Sequence, residues 1–392
     1  MGIRNNSKTP VVLIRRTKAV LHLILNRPEA INSLTLEMLW IIAAEIDKAG
    51  SDNTVKLVIF SGSGAKGFCA GGDIKIMAQA VMENDIEPAM RFLKVENELD
   101  LTIHRFHKPV VVFAHGIIMG GGLGLSAGAD IVAANETTRM AMPETRIGFF
   151  PDVGSTGWLF QKCGRGYPEF LGLTGYELLG AECVRVGLAD CLIPSTRFDR
   201  ALDAVIESSS ELPTGRTAAA ARLTEVFRPF IQPDIPAKAD MDRWIETYFA
   251  DKTSVLDLLK DLKACSDENN LCEGVFARLS ERSPLAVVTT LKCLRRDEHK
   301  DLAEVYESDL SVARFLMTQH DFREGVRARL IDKDDRPHWD PESFEQATQV
   351  LDLQSGFALM GESGAVGLFK ACPVLDTGCS EVFPPFFACP SV

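Results

Sequence analysis

The sequence predicts an α/β fold made of stacked ββα units, followed by a helical C-terminal region. Short runs of β-branched and aliphatic residues alternate with amphipathic helical patterns through the first half of the chain. Strand signals then stop near residue 198, and the later patterns have a helical period. With 392 residues, 46% of them hydrophobic, the chain is long enough to bury a full core.

A β-hairpin is expected at the start of the fold. Residues 11–14 and 19–25 have the composition of strands, and the charged residues 15–18 read as the turn between them. The proline-containing segment 26–28 ends the second strand, because proline has no amide hydrogen to donate to a sheet.

An amphipathic helix is expected next. Thr35 is a suitable N-cap and Gly50 a suitable stop signal. The apolar side chains between them recur with the 3.6-residue period of a helix: Leu36, Leu39, Ile42, Ala43 and Ile46.

Three further apolar segments, 56–60, 109–114 and 130–134, are predicted to be short buried strands, with helical segments between them. Strands that alternate with helices in this way indicate ββα units.

The second half of the chain divides differently. Helical patterns cover residues 198–209, 243–252, 257–268 and 302–322, and Pro213 interrupts them. We therefore expect three parts: a core at 10–212 that carries the active site, a helical region at 213–353 and an irregular tail at 354–392.

Composition excludes several classes of partner. The formal net charge of −12 repels nucleic acid and anionic membrane surfaces. No apolar run approaches the roughly 20 residues of a membrane span, and the start of the chain has no signal-peptide pattern, so a cytoplasmic location is expected. The ten cysteines show neither a CxxC pair nor zinc spacing, which favours reduced, buried thiols and no metal site.

Two glycine-rich turns are candidate ligand-binding loops. Each follows a predicted strand; one spans residues 67–73 and the other residues 115–124. Glycine allows a backbone N–H group to approach a ligand closely, so the two loops could donate to one ligand oxygen. Taken singly, either turn fits a tight bend or close helix packing equally well.

A third segment, residues 142–154, places Glu144 and Asp152 in apolar, proline-containing surroundings. A buried carboxyl group is costly unless it is paired or used, and burial raises its pKa. Two such groups in different surroundings can act as a base or nucleophile and an acid. The alternative is structural: Glu144 caps a helix or pairs with Arg146.

These segments resemble the crotonase (enoyl-CoA hydratase/isomerase) superfamily, whose members bind CoA thioesters. The resemblance rests on residues 68–74, 115–122, 142–144 and 174–194 and covers roughly residues 11–195. It implies the crotonase fold, with CoA bound by the 10–212 core. It also implies an oxyanion hole formed by the amides of Gly72 and Gly121, with substrate bound by Ala70, Gly71 and Asp73.

Within the superfamily, the chain is most similar to the 3-hydroxyisobutyryl-CoA hydrolase family. Hydratases of the superfamily resemble one another in a glutamate where this chain has Gly124 and a glycine where it has Asp152. The later segments 283–294 and 320–341 extend the similarity to about residue 345. The resemblance implies that Glu144 is the catalytic carboxylate and that Asp152 is the second catalytic carboxyl group, near either the leaving thiolate or the substrate hydroxyl group. It also implies that Glu96 contacts the substrate; for Glu96, a solvated helix position is the alternative.

The implied reaction is hydrolysis of a short 3-hydroxyacyl-CoA, with 3-hydroxyisobutyryl-CoA giving 3-hydroxyisobutyrate and CoA in valine breakdown. No cofactor is implied beyond the CoA of the substrate. The family commonly forms trimers or hexamers, and a homo-oligomer is left open here.

Three alternatives are kept. A hydratase or isomerase on the same fold would need Asp152 to supply its second carboxyl group. A non-catalytic CoA-binding protein would gain nothing from buried carboxyl groups. A serine hydrolase is suggested by G-x-S-x-G around Ser126, but a nucleophile elbow follows a strand directly, whereas Ser126 follows a glycine run that opens a helix.

Overall fold

Two sheets organise the first half of the chain. The computed structural model describes residues 9–265 and 270–354. Its strands are β1 Val12–Thr17, β2 Val20–Leu25, β3 Leu57–Gly62, β4 Gly67–Cys69, β5 Val110–Ala114, β6 Ile117–Met119, β7 Ile131–Ala134, β8 Arg139–Ala141, β9 Leu178–Leu179 and β10 Cys191–Leu192. The larger sheet has the order β1-β2-β3-β5-β7-β10, and the smaller has the order β4-β6-β8-β9.

The predicted hairpin is present, but its turn is tighter than expected. Strands β1 and β2 pair antiparallel from Val12 opposite Leu25 to Thr17 opposite Val20. The charged residues at 15 and 16 therefore lie in the strand, where their side chains reach solvent. Every other neighbouring pair of the larger sheet is parallel, which fits the predicted alternation of strands and helices.

The smaller sheet was not predicted. The segments read as turns around Gly67 and Gly116 contain strands β4 and β6, which run parallel to each other, and β8 runs parallel to β6. These strands lie too close for ordinary side chains: a Cβ atom on Gly67 would lie 2.4 Å from the amide nitrogen of Ile117. Glycine is poor in strand propensity, so the pattern that signals a strand is missing where the backbones approach closely.

The first predicted helix is confirmed. Helix α1 spans Leu36–Ser51, and the Thr35 side chain accepts a hydrogen bond from the amide of Met38 at 3.2 Å. The remaining helices of the first half are α2 Ile74–Glu83, α3 Glu87–His104, α4 Gly121–Ala127, α5 Ser155–Lys162, α6 Tyr167–Thr174, α7 Ala181–Val186 and α8 Ser195–Ser208.

After β10 the described residues are helical or irregular, as the sequence predicts. The helices are α9 Arg216–Phe227, α10 Ala239–Phe249, α11 Val255–Ala264, α12 Leu271–Ser280, α13 Pro284–Asp297, α14 Leu302–Met317, α15 His320–Val326 and α16 Phe344–Gln354, with a π-helix at Arg327–Ile331. The single helix expected at 302–322 breaks near Thr318 into α14 and α15.

One apolar core extends from the larger sheet into the helical region. It includes Leu23 and Phe60 of the sheet together with Phe249 and Leu316 of the later helices. The described residues belong to one compact unit. The boundary at residue 212 stays a prediction, and the tail at 355–392 lies outside the described residues.

The cysteines depart from the expectation in one place. Cys265 and Cys272 form a disulfide bond across the gap between α11 and α12, so they are not free thiols. Cys265 follows the end of α11 and Cys272 lies at the start of α12, so the helix ends bring the two together. Their spacing is not a CxxC pair and gave no reason to expect a bond. The other described cysteines are free: Cys69, Cys163, Cys183, Cys191 and Cys293.

Within the described ranges, we find no helix with the length and apolar character needed to cross a membrane.

Candidate active site

Three parallel strands of the smaller sheet bring the predicted site segments together. Strand β4 leads into Gly71-Gly72, β6 leads into Gly120-Gly121, and β8 leads into Glu144. Because the strands are parallel, their carboxyl ends lie on one edge of the sheet, which is where α/β folds place their ligands. The three sequence motifs therefore form one site.

The two glycine loops contact each other directly. Gly71 adopts a φ of +97°, and a Cβ atom on it would lie 3.0 Å from the Met119 carbonyl oxygen and 3.5 Å from the Gly121 amide nitrogen. A left-handed φ of this kind favours glycine. The approach of the loops therefore brings Gly71, the residue before Gly72, into contact with the amide of Gly121.

The amides of Gly72 and Gly121 are unpaired, although their neighbours are not. The amide of Ala70 donates to the Ile31 carbonyl at 3.0 Å, and that of Asp73 donates to the Leu34 carbonyl at 2.8 Å. The amide of Gly120 donates to the Ala141 carbonyl at 3.3 Å. Across the described residues, the Gly72 and Gly121 amides have no hydrogen-bond acceptor. Unpaired backbone donors are rare, and here two of them lie where the loops meet.

The side chain of Asp73 has a structural role. It caps helix α2 by accepting from the amide of Lys75 at 3.1 Å, and it forms an ion pair with Arg27 at 2.9 Å. Substrate contact by Ala70, Gly71 or Asp73 stays a prediction.

Glu144 lies beside the second glycine loop. It begins the 3-10 helix Glu144–Ile147, and a Cβ atom on Gly120 would lie 2.9 Å from its Oε1 atom. Its Oε2 atom is buried and has no hydrogen-bond partner in the described structure. Among the described residues, Glu144 forms no ion pair with Arg146, and its Oε2 atom remains available to a ligand.

Glu96 is also part of this cluster, which overturns the solvated alternative. It lies on α3 with only 2% of its surface exposed, and its Oε1 atom lies within 2.0 Å of the position that a Cβ atom would take on Gly121. Position 121 must therefore be glycine for Glu96 to approach the loop. Its neighbour Glu98 is exposed and pairs with Lys94 at 3.9 Å.

Asp152 completes the pair of carboxyl groups proposed from the sequence. It is 8% exposed, and burial raises its pKa from 3.8 to about 7. Burial, followed by the charge of Asp152, raises the pKa of Glu144 well above its usual range. The pKa of Glu96 is raised by burial and then by the charges of Asp152, Asp100 and Glu144. Such a cluster can hold protons near neutral pH, as acid and base catalysis requires.

The helical region supports the loop that carries these groups. The amide of Gly154 donates to Asp309 on α14 at 2.8 Å, and the Thr156 hydroxyl donates to Asp297 on α13 at 2.9 Å. The indole N–H of Trp158 donates to the Val153 carbonyl at 2.8 Å. The position of Asp152 thus depends on residues more than 140 positions later in the chain.

Sequence reasoning missed three buried polar residues near the site: Asp100 on α3 and Tyr306 and Asp309 on α14. Burial and nearby carboxyl charges raise the pKa of each. Only Asp100 had a signal in the sequence, since it lies four residues after Glu96 and shares its helix face.

Ser126 is not a nucleophile. It lies inside α4, and its hydroxyl donates to the Leu123 carbonyl at 2.9 Å. The described residues contain no group of three His, Cys, Asp or Glu side chains arranged to hold a metal ion.

The chain is similar to a known family and to curated proteins. A family model described as enoyl-CoA hydratase/isomerase matches residues 20–353. The chain is similar to the mitochondrial 3-hydroxyisobutyryl-CoA hydrolases of Homo sapiens, at 34% identity over 86% of each chain, and of Rattus norvegicus, at 33% identity over 92% of each chain.

Solved structures share the fold. A carnitinyl-CoA dehydratase from Mycobacterium thermoresistibile matches 91% of this chain and all of its own, with a TM-score of 0.79 and 30% identity. An enoyl-CoA hydratase from Rhodobacter sphaeroides matches 90% of this chain and all of its own, with a TM-score of 0.76 and 28% identity.

Proposed function

The chain belongs to the enoyl-CoA hydratase/isomerase family, and we propose that it hydrolyses the thioester bond of a short 3-hydroxyacyl-CoA, with 3-hydroxyisobutyryl-CoA as the substrate. The observation that carries the proposal is the meeting of two unpaired amides, Gly72 and Gly121, with the Glu144 carboxyl group, whose Oε2 atom has no partner, at one sheet edge. The curated relatives named as 3-hydroxyisobutyryl-CoA hydrolases support the choice of substrate. Valine breakdown is the pathway that this substrate implies.

The two amides form the oxyanion hole in this proposal. The thioester carbonyl oxygen accepts from both N–H groups, and its negative charge grows when the carbonyl carbon is attacked. Each donor of this kind lowers the barrier by about 3 to 4 kcal/mol. The amides are fixed by the loops before substrate binds, so they need not reorganise during the reaction.

Glu144 supplies the attack and Asp152 supplies a proton. Glu144 either removes a proton from water or attacks the carbonyl carbon to form a mixed anhydride that water then cleaves. In the water route, the water oxygen joins the acyl carbon. In direct attack, an oxygen of Glu144 joins the acyl carbon, and water then attacks the Glu144 carboxyl carbon of the anhydride, which restores the carboxylate with a water oxygen in it. In both routes the carbon–sulfur bond breaks and the CoA sulfur leaves as a thiolate. Asp152, whose pKa burial raises to about 7, donates a proton to that sulfur in this scheme. No cofactor beyond the CoA of the substrate takes part in this scheme.

The first experiment measures free-thiol release from 3-hydroxyisobutyryl-CoA beside hydration of crotonyl-CoA, in the wild type and in Glu144→Gln. We expect thiol release by the wild type and a loss of at least about 1,000-fold in the variant, since its amide can neither attack nor accept the proton from water. Glu98→Gln is the matched control, because it removes a carboxylate from an exposed site and should leave the rate unchanged.

Hydration without thiol release would instead identify a hydratase, with Asp152 as its second carboxyl group. This alternative is retained because two proteins with similar structures are named as a dehydratase and a hydratase. Oxygen-18 from solvent found in Glu144 after turnover would establish direct attack.

The cytoplasmic location stays a prediction, because the curated relatives are named as mitochondrial proteins. Fractionation of cells that express the full chain would decide the compartment.

A further inference from the structure

Asp100 is a buried carboxyl group to which the scheme above gives no role. It lies on α3, one turn after Glu96, and none of its surface is exposed. Neither of its oxygen atoms has a hydrogen-bond partner in the described residues. A buried carboxyl group without partners costs stability, so its presence calls for a ligand or a functional reason.

Asp100 faces Gly124 on helix α4. A Cβ atom on Gly124 would lie 2.3 Å from the Oδ2 atom of Asp100 and 2.8 Å from the Cβ atom of Val153. The carboxyl group thus occupies, from α3, the place that a side chain at position 124 would take. Glycine at 124 is what allows Asp100 to reach this position.

Three carboxyl groups follow the start of α4 in order. Glu144 lies against Gly120, Glu96 against Gly121, and Asp100 against Gly124. Their exposure falls along the same line, from half-buried Glu144 through Glu96 at 2% to Asp100 at 0%. Asp100 therefore lies at the inner end of the row, away from the exposed side.

The spacing matches the substrate. Gly124 lies three residues after Gly121, and a helix rises about 1.5 Å per residue, so the two positions are about 4.5 Å apart. In a 3-hydroxyacyl thioester, the hydroxyl oxygen is three covalent bonds from the carbonyl carbon. With the carbonyl oxygen at the Gly121 amide, an acyl chain that ran inward would bring its hydroxyl group towards Asp100.

We propose that Asp100 is the specificity-determining residue that binds the hydroxyl group of the acyl chain. This inference rests on the proposed function and specifies its substrate. A protonated carboxyl group and a hydroxyl group can each donate and accept one hydrogen bond, so the pair is complementary. An acyl chain without the hydroxyl group leaves Asp100 unpaired, which is how sites built for a hydroxyl group reject its absence. Asp152 is then left to protonate the departing sulfur.

The test compares thiol release from 3-hydroxyisobutyryl-CoA and isobutyryl-CoA, which differ only in the hydroxyl group. We expect the wild type to prefer the hydroxylated substrate by at least about 100-fold in kcat/KM. Asp100→Ala should reduce that preference to less than about tenfold by slowing only the hydroxylated substrate. Asp100→Asn, which keeps a donor and an acceptor, should retain most of it.

Two further variants make the test specific. Glu98→Ala changes the exposed face of the same helix and should leave the preference intact. Gly124→Ala keeps Asp100 but introduces a Cβ atom at the place of its carboxyl group, so it should lose the preference as Asp100→Ala does. Circular dichroism would confirm that each variant is folded.

The outcomes separate the two proposals. Equal losses on both substrates in Asp100→Ala, or an unchanged preference, would overturn the role of Asp100 while leaving the hydrolase intact. If the wild type releases thiol from neither substrate, the proposed function fails, and the inference fails with it.

Discussion

At the scale of single residues, this protein concentrates acidic groups where water is excluded. Because burial raises the pKa of Asp152 from 3.8 to about 7, the folded protein binds more protons than the unfolded chain between these pH values. The free energy of unfolding therefore falls as pH rises through that window. The buried carboxyl group therefore lowers the free energy of unfolding at neutral pH. Proteins commonly retain such destabilising groups in sites where activity requires them.

The pH dependence of the reaction should report the proton on Asp152. If Asp152 acts as the acid, kcat/KM for 3-hydroxyisobutyryl-CoA should fall about tenfold per pH unit on the alkaline side of its optimum, since the deprotonated form cannot donate. Asp152→Asn should lose at least about tenfold in rate near pH 6 and should no longer show this decline. Profiles from pH 5 to 9 for both proteins provide the measurement, and the same alkaline decline in Asp152→Asn would assign it to another group.

At the scale of elements, close backbone contacts fix the segment that carries Glu144. A Cβ atom on Gly325 of α15 would lie 2.5 Å from the carbonyl oxygen of Ile147, and one on Gly148 would lie 2.3 Å from that of Asp321. The backbone of helix α15 therefore packs directly against the backbone of the 3-10 helix Glu144–Ile147 and of Gly148. A side chain on either glycine would separate them and shift the carboxyl group of Glu144.

Gly325→Ala should destabilise the protein by about 1 to 3 kcal/mol, because the contacting atoms are backbone and cannot rotate away. Thiol release should fall at least about tenfold, since Glu144 is three residues from the contact. Gly274→Ala in α12 is the matched control: no atom lies within 4 Å of its added Cβ, so the free energy of unfolding should rise by about 0.5 to 1 kcal/mol. Urea denaturation would measure both changes, and a stabilised Gly325→Ala would refute the packing argument.

At the scale of the whole molecule, the helical region and the sheet core are joined by buried polar contacts as well as by apolar packing. The Asn97 side chain donates to the Tyr306 carbonyl at 3.1 Å, and the Arg282 guanidinium donates to the Thr174 carbonyl at 2.9 Å. Both contacts join residues more than 100 positions apart. Separating the two parts would leave these groups buried without partners or exposed to water, together with a large apolar surface.

The two parts should therefore unfold together. Trp158 reports on α5 beside the sheet core, and Trp244 reports on α10 in the helical region. In two variants that retain only one of these tryptophans, with the others replaced by phenylalanine, urea titrations followed by fluorescence should give coincident midpoints. Midpoints separated by more than about 0.5 M would show that the regions unfold independently.

The sequence by itself determined the elements and the motifs, because helical and strand periods, caps and glycine turns are local properties. The hairpin, helix α1, the buried strands β3, β5 and β7 of the larger sheet and the helical second half could be predicted in this way. Glu144 and Asp152 could be chosen because carboxyl groups are conspicuous in an apolar segment.

Only the tertiary structure decided how these parts meet. The smaller sheet is built where glycine removes the strand signal, and the Cys265–Cys272 bond joins two helix ends that spacing does not relate. Glu96 and Glu98 look alike in the sequence, but one faces the glycine loop and the other faces solvent. The role proposed for Asp100 depends on its contact with Gly124, a residue on another helix. Contacts of this kind depend on how elements pack in space, and no local pattern along the chain encodes that packing.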